Sequence, residues 1–185
     1  MSLKVHRLGR AVTGLLIVDI QERLLPQIFE KERLIRESVR LIKGATLLKI
    51  PIFVTEQYRK GLGLTTPEIA SIIENFAPKE KETFSACGAE GLVSSLKSSK
   101  VRDIVLCGME AHICILNTCL DLLEVGFHVF VAADAVSARS ADNTRVALER
   151  MRDAGAVIVS AEMVLFELLG RAATDEFKEI LKLVR

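Results

Sequence analysis

Apolar residues in this chain fall into two patterns. Short unbroken runs alternate with longer stretches in which apolar positions recur every third or fourth residue. The runs are T-G-L-L-I-V-D-I (13–20), P-I-F-V-T-E (51–56), V-R-D-I-V-L-C-G (101–108), F-H-V-F-V-A-A-D (127–134) and A-V-I-V-S (156–160). Apolar side chains at consecutive positions mean strands covered on both faces. Pro51 opens the second run, where a strand tolerates a missing N–H. One more strand is weakly signalled near 77–82. Between the strands, 31–49 sets Leu34, Ile35, Val39, Leu41 and Ile42 at helical spacing. Helices follow around 89–98, over 111–125 and over 141–154, the last two stopping at Gly126 and Gly155. Pro67 closes a Gly- and Thr-rich loop (61–67) and starts a short helix, and helices finish the chain. This alternation predicts an α/β fold with a parallel sheet covered on both faces. No repeat, linker or low-complexity tract divides the sequence, so residues 1–185 read as one domain with a sizeable core.

Composition narrows the class. Half of the residues are hydrophobic and Trp is absent, which suits a compact aliphatic core. A formal charge of +1, with the charges interspersed, builds no basic stripe of the kind a nucleic-acid surface needs. No run approaches the roughly 20 apolar residues of a membrane span. The apolar run after the basic start M-S-L-K-V-H-R-L-G-R meets Asp19 too soon for a signal peptide. Four cysteines without framework spacing fit reduced thiols in a cytoplasm. The expectation is a soluble cytoplasmic enzyme or binding domain, with no nucleic acid and no membrane among its partners.

An open parallel sheet binds ligands beyond the carboxyl ends of its strands, where the strand order switches. The residues to inspect are therefore Asp19, Thr55 to Tyr58, the segment after residue 79, Gly108 to Cys114, and Asp134 to Ser140. The stretch V-L-C-G-M-E-A-H-I-C-I-L-N-T-C-L (105–120) holds three of the four cysteines and one of the three histidines. Its Cys114-x4-Cys119 pair runs along a predicted helix rather than on a turn as in a structural zinc site, and Cys107 lies in the strand before it. The Cys-x-x-Cys of a redox pair is absent. Cys87, Cys107 and Cys119 read as small buried hydrophobes. Cys114 differs. A strand ends at Cys107, Gly108 permits a sharp turn, and Cys114 falls in the first turn of a helix. There the helix dipole and free N–H groups lower a thiol pKa and can hold an oxyanion. A nucleophile and a packed thiol both remain open at this point.

A nucleophilic thiol needs a proton acceptor. His112 is two positions away and does not share a helical face with Cys114, so it shapes a pocket or makes a local hydrogen bond. Asp19, ending an apolar strand, is the better base, with helix capping as its ordinary alternative. Lys81, opening K-E-T-F-S-A (81–86), could stabilise thiolate and carboxylate together, or belong to a solvated charge run with Lys79, Glu80 and Glu82. G-L-G (61–63) lacks a third glycine, and no Walker-type G-K-[ST] occurs. Ser137, Arg139 and Ser140 could line a pocket or serve as turn residues, and Asp142 and Asn143 read as helix-start residues.

The segments L-L-I-V-D-I-Q (15–21), K-E-T-F-S-A (81–86) and C-G-M-E-A-H-I-C-I (107–115), in that order, resemble the isochorismatase-like cysteine hydrolases. V-A-A-D-A-V-S-A-R (131–139) extends the resemblance over nearly the whole chain, and E-Q-Y-R-K-G-L-G-L-T-T-P-E-I (56–69) looks most like a metal-free branch of small hydrolases. The resemblance implies a three-layer α/β/α Rossmann-like sandwich with a six-stranded parallel sheet of order 3-2-1-4-5-6. It implies a catalytic triad of Asp19, Lys81 and Cys114. It also implies a cis peptide before Glu110, turning the Glu110 and Cys114 amides toward an oxyanion. The nicotinamidase branch carries an Asp-x-His…His metal site after the second strand. Here Thr55, Glu56, Gln57 and Tyr58 stand without a histidine, so no metal and no cofactor is expected. Isochorismatases proper lack the cysteine, so amide-type chemistry is favoured over vinyl-ether cleavage.

The expected function is hydrolysis of a small C–N, amide-like substrate through a thioester. Cys114 is the nucleophile, Asp19 the base and Lys81 the stabilising cation. Gln21, Gln57, Phe84 and His112 are assigned to substrate binding. Self-association into a homo-oligomer is implied by the resemblance. The rival readings are a non-catalytic or redox-sensing oligomer that keeps the fold and a reactive thiol, and a metal-dependent amidase.

Overall fold

A computed structural model of the chain describes residues 5–185. Its sheet has six strands: β1 (Thr13–Val18), β2 (Ile52–Gln57), β3 (Lys79–Lys81), β4 (Asp103–Met109), β5 (His128–Ser137) and β6 (Val157–Val159). Every pairing is parallel and the order is β3-β2-β1-β4-β5-β6. The chain winds outward from β1 to one edge, then returns to β4 and winds to the other. The order therefore switches between β1 and β4.

The consecutive apolar residues of the strands divide between two cores, because successive side chains of a strand point to opposite faces. Leu15, Ile17, Val105 and Phe130 join one cluster, and Leu16, Val18, Ile104, Leu106 and Val131 join the other. The first face is covered by α1 (Lys31–Leu47), α3 (Pro67–Ala70), α7 (Ala161–Leu169) and α8 (Asp175–Val184) through Leu34, Leu41, Ile69, Leu165 and Ile180. The second is covered by α4 (Leu92–Ser98), α5 (Leu116–Glu124) and α6 (Ala141–Asp153) through Leu92, Leu96, Leu122 and Met151. A short α2 (Arg59–Leu62) follows β2. α1 and α7 approach closely at Gly44, where an added Cβ would overlap the Leu165 side chain.

Helix starts follow local chemistry. Ser140, Ser160 and Thr174 accept the N–H of Asn143, Met163 and Phe177 respectively, three residues on in each case, satisfying a donor that the first turn leaves free.

Three local expectations are corrected. β4 runs through Gly108 to Met109, so Gly108 is not a turn. It has φ +124, and an added Cβ would collide with the Val18 backbone, so glycine here permits the close approach of β4 to β1. β5 continues past Asp134 to Ser137, because a register shift carries pairing from Leu106↔Val131 to Gly108↔Val136. Asp134 thus sits inside the strand, where its carboxylate accepts the Ala161 N–H at 2.8 Å and caps α7. The helix expected over 111–125 opens with one π turn, Ala111–Ile115, before α5. Periodicity cannot tell a single wide turn from an α-helical one.

Candidate active site

Parallel register brings the site together. β1 pairs Val18 with Thr55 of β2 and with Gly108 of β4, and β2 pairs Gln57 with Lys81 of β3. The carboxyl ends of four strands are thereby level. Asp19, one residue beyond β1, takes a left-handed φ of 56, which Asp tolerates better than most residues. Its side chain is 0% exposed. One carboxylate oxygen accepts the Thr55 hydroxyl at 2.8 Å and the other accepts Lys81 Nζ at 2.6 Å.

The Lys81 ammonium is enclosed. Besides Asp19 it donates to Gln57 Oε1 at 2.6 Å and to the carbonyls of Thr83 and Phe84 at 3.1 Å each. Four acceptors surround a group with three N–H bonds, so the cation is saturated and fixed. Gln57 is oriented in turn by its Nε2, which donates to the Glu82 carbonyl at 2.8 Å. Its Oε1 therefore faces both Lys81 and the Cys114 thiol, the latter at 3.9 Å.

Cys114 lies in the π turn, buried, with its thiol close enough to Asp19 to feel its charge. The Met109–Glu110 peptide is cis. The Glu110 carbonyl accepts the N–H groups of Ile113 and Ile115 at 3.1 Å each. Burial pushes the Cys114 thiol up to about 12, and the neighbouring Asp19 charge pushes the same way. Lys81 and the Glu110 N–H oppose this without prevailing. Burial also raises the Asp19 carboxyl, against the pull of Lys81 and Thr55. The expectation of a depressed thiol pKa is thus corrected: the helix start is outweighed by desolvation and an adjacent carboxylate. The thiol therefore keeps its proton at neutral pH, beside Asp19.

The other sequence-selected residues fall into different places. Gln21 is buried and its amide is committed: Nε2 donates to the carbonyls of Gln57 and Gly63, and Oε1 accepts the Gln57 N–H. It pins the loop after β2 rather than facing an opening. Buried Glu56 assists, accepting the Thr65 N–H and hydroxyl at 2.7 Å and Arg59 Nε at 2.6 Å. Phe84 is 61% exposed at the rim, while its carbonyl turns inward to Lys81. His112 is half-buried, and its Nδ1 is buried with no partner among the described residues. Cys107 and Cys119 are fully buried in the two cores, with burial pushing both thiols up to about 12. Half-buried Cys87 lies in the loop after Lys81. Among the described residues, no group of three or more His, Cys, Asp and Glu side chains is placed to hold a metal ion. No helix among them is long and apolar enough to cross a membrane.

Two contributors escaped sequence reasoning. Thr55 was singled out only by its place at a strand end, and its bond to Asp19 depends on the β1–β2 register. The Glu110 side chain, paired with Arg139 at 2.9 Å, carried no signal beyond two charged residues near strand ends.

Comparison with known proteins gives a consistent family. The profile described as Isochorismatase domain matches residues 13–163. The human protein named Isochorismatase domain-containing protein 2 is 41% identical over 182 residues, covering 96% of this chain and 87% of its own length. The structure of MAR1 ribonuclease from Caenorhabditis elegans superposes with a TM-score of 0.92 at 39% identity, covering 97% of this chain and 92% of its own. YcaC from Pseudomonas aeruginosa, solved with hexane-2,5-diol and covalent acrylamide, superposes with a TM-score of 0.90 at 25% identity, covering 98% and 93%.

Proposed function

The chain belongs to the isochorismatase domain family, and on that premise we propose that it is a cysteine hydrolase of a small C–N, amide-like substrate. The observation that carries this reading is the enclosure of one thiol, one carboxylate and one ammonium at the switch between β1 and β4. Covalent acrylamide in YcaC is consistent with a reactive nucleophile on this fold.

In the proposed cycle the Cys114 sulfur attacks the substrate carbonyl carbon while its proton passes to Asp19. The carbonyl oxygen becomes an oxyanion, held by the backbone N–H groups of Glu110 and Cys114. As the C–N bond breaks, Asp19 delivers the proton to the departing nitrogen, leaving a thioester on Cys114 and a free amine. A water then adds to the thioester carbonyl, giving its proton to Asp19. Collapse releases the acid and returns the proton to sulfur. Lys81 moves no proton in this scheme; its fixed charge balances Asp19 and then the thiolate. Gln57 holds the ammonium and borders the sulfur, and Phe84 and His112 line the approach. The cycle needs no metal or cofactor.

We place the protein in the cytoplasm, where four unpaired thiols persist, as a homo-oligomer whose partners are small molecules rather than nucleic acid. Size-exclusion chromatography with light scattering tests the assembly. The decisive experiment is a screen over small amides and carbamoyl compounds with Cys114→Ala as the blank. RNA is included as one substrate because of the name carried by the C. elegans relative. Turnover of a C–N substrate that vanishes in Cys114→Ala is the expected result. Wild-type turnover by Cys114→Ala, or RNA as the sole substrate, sinks the proposal. A non-catalytic thiol protein would instead turn over nothing while its thiol still responded to Asp19 and Lys81.

A further inference from the structure

Glu110 stands at the start of the turn that carries Cys114 and is held at both ends. Its carbonyl closes the π turn by accepting from Ile113 and Ile115, the residues on either side of Cys114. Its carboxylate, on a side chain only 8% exposed, accepts Arg139 Nε at 2.9 Å. Arg139 stands beyond the end of β5, across β4 from Asp19 and Lys81, and its side chain is 53% exposed. Among the described residues Arg139 is the cation paired with Glu110.

A buried carboxylate beside the turn opposes any negative charge that develops there, whether thiolate or oxyanion. Its influence reaches further than that of an exposed group because little water screens it. Arg139 cancels that charge and holds the Glu110 side chain to the neighbouring strand. The Glu110 carbonyl is thereby held where it closes the turn around Cys114.

We propose that the Glu110–Arg139 ion pair is a positioning device for Cys114: Arg139 neutralises and anchors Glu110, and Glu110 holds the π turn that carries the thiol. Arg139 itself touches neither sulfur nor substrate. For turnover the inference rests on the hydrolase reading; for thiol reactivity it does not.

Charge gives the two partners opposite signs. Loss of Arg139 leaves an unpaired buried carboxylate at the start of the turn that carries the thiol, and loss of the Glu110 charge removes a negative charge there. The test is the rate of Cys114 alkylation by iodoacetamide between pH 7.5 and 9.5, read at this residue by mass spectrometry. A thiol that titrates above the assay range reacts through a thiolate fraction that changes about tenfold per unit of pKa. Arg139→Ala is expected to slow alkylation by about threefold or more, and Glu110→Gln to speed it by a similar factor. The double variant should react faster than Arg139→Ala alone, and Arg139→Lys should stay within about twofold of wild type. Single variants that shift in the same direction, or a double variant no faster than Arg139→Ala, overturn the proposal, because a purely structural role predicts that outcome. If Arg139→Ala does not fold, the nearly isosteric Glu110→Gln decides alone: no acceleration overturns it. Opposed signs without turnover of any C–N substrate would uphold the pair and sink the hydrolase reading. Turnover with no opposed signs would do the reverse.

Discussion

At Cys114 two neighbouring charges pull in opposite directions, and their removal should be distinguishable. Asp19 raises the thiol and Lys81 lowers it. Asp19→Asn should therefore speed alkylation of Cys114 at pH 8.5 by roughly tenfold per unit of pKa regained, while abolishing turnover. The same variant becomes more reactive and less active, which a damaged site would not. Lys81→Ala should slow alkylation. It also leaves Asp19 buried without its cation, and breaking such a pair costs about 3–5 kcal/mol, measurable by urea unfolding. Asp19 was legible in the sequence because it ends an apolar strand, where chemistry has few reasons to place a charge, and Cys114 because it falls at a helix start after another such strand. Lys81, in a charged run, was singled out through the resemblance to the family. Thr55, the Glu110 side chain and the inward-facing Gln57 oxygen were not legible. Short polar side chains near strand ends look like ordinary turn residues until register and rotamer are known. The loop-tying bonds of Gln21 were hidden for a related reason: composition cannot distinguish an amide that faces a ligand from one that ties down a loop.

At the level of elements, the alternation of runs and helical spacings located five of the six strands and the main helices, because double-sided burial leaves an unmistakable apolar signature. β3 was weakly marked because its three residues, K-E-K, carry no apolar side chain, whereas the equally short β6 reads V-I-V. The extension of β5 and the π turn were invisible because neither changes hydrophobic period. Gly108 is the most instructive departure. Gly108→Ala should cost more than about 3 kcal/mol, since the new methyl meets the Val18 backbone and the φ of +124 disfavours any side chain. Gly126→Ala shares a positive φ but opens onto free space, so it should cost only about 1 kcal/mol. Thermal unfolding of the two variants checks the contrast. Gly108 belongs to the junction of β1 and β4 that aligns Asp19 with Cys114, so loss of turnover should accompany the larger drop.

For the whole molecule, three thiols distributed through both cores set the alkaline limit of stability. Burial pushes Cys107, Cys114 and Cys119 from 9.0 up to about 12 in the folded chain. Between those values the unfolded chain loses these protons while the folded chain keeps them. The folded state then binds more protons, so stability falls as pH rises, being full below about 9 and lost progressively toward 12. Each thiol contributes up to about 1.4 kcal/mol per pH unit. Urea midpoints should drop steeply above pH 9, and less steeply in Cys119→Ala. The sheet that separates the two cores has a further consequence, for how damage combines. Leu41 and Leu96 contribute to clusters on opposite sides of it and belong to no common cluster. Each Leu→Ala change should cost about 2–5 kcal/mol, and together they should sum to within about 0.5 kcal/mol. Leu41 and Leu165 belong to one cluster, so their losses should couple. The sheet then acts as an energetic partition, and variation accepted in one core sets no terms for variation in the other.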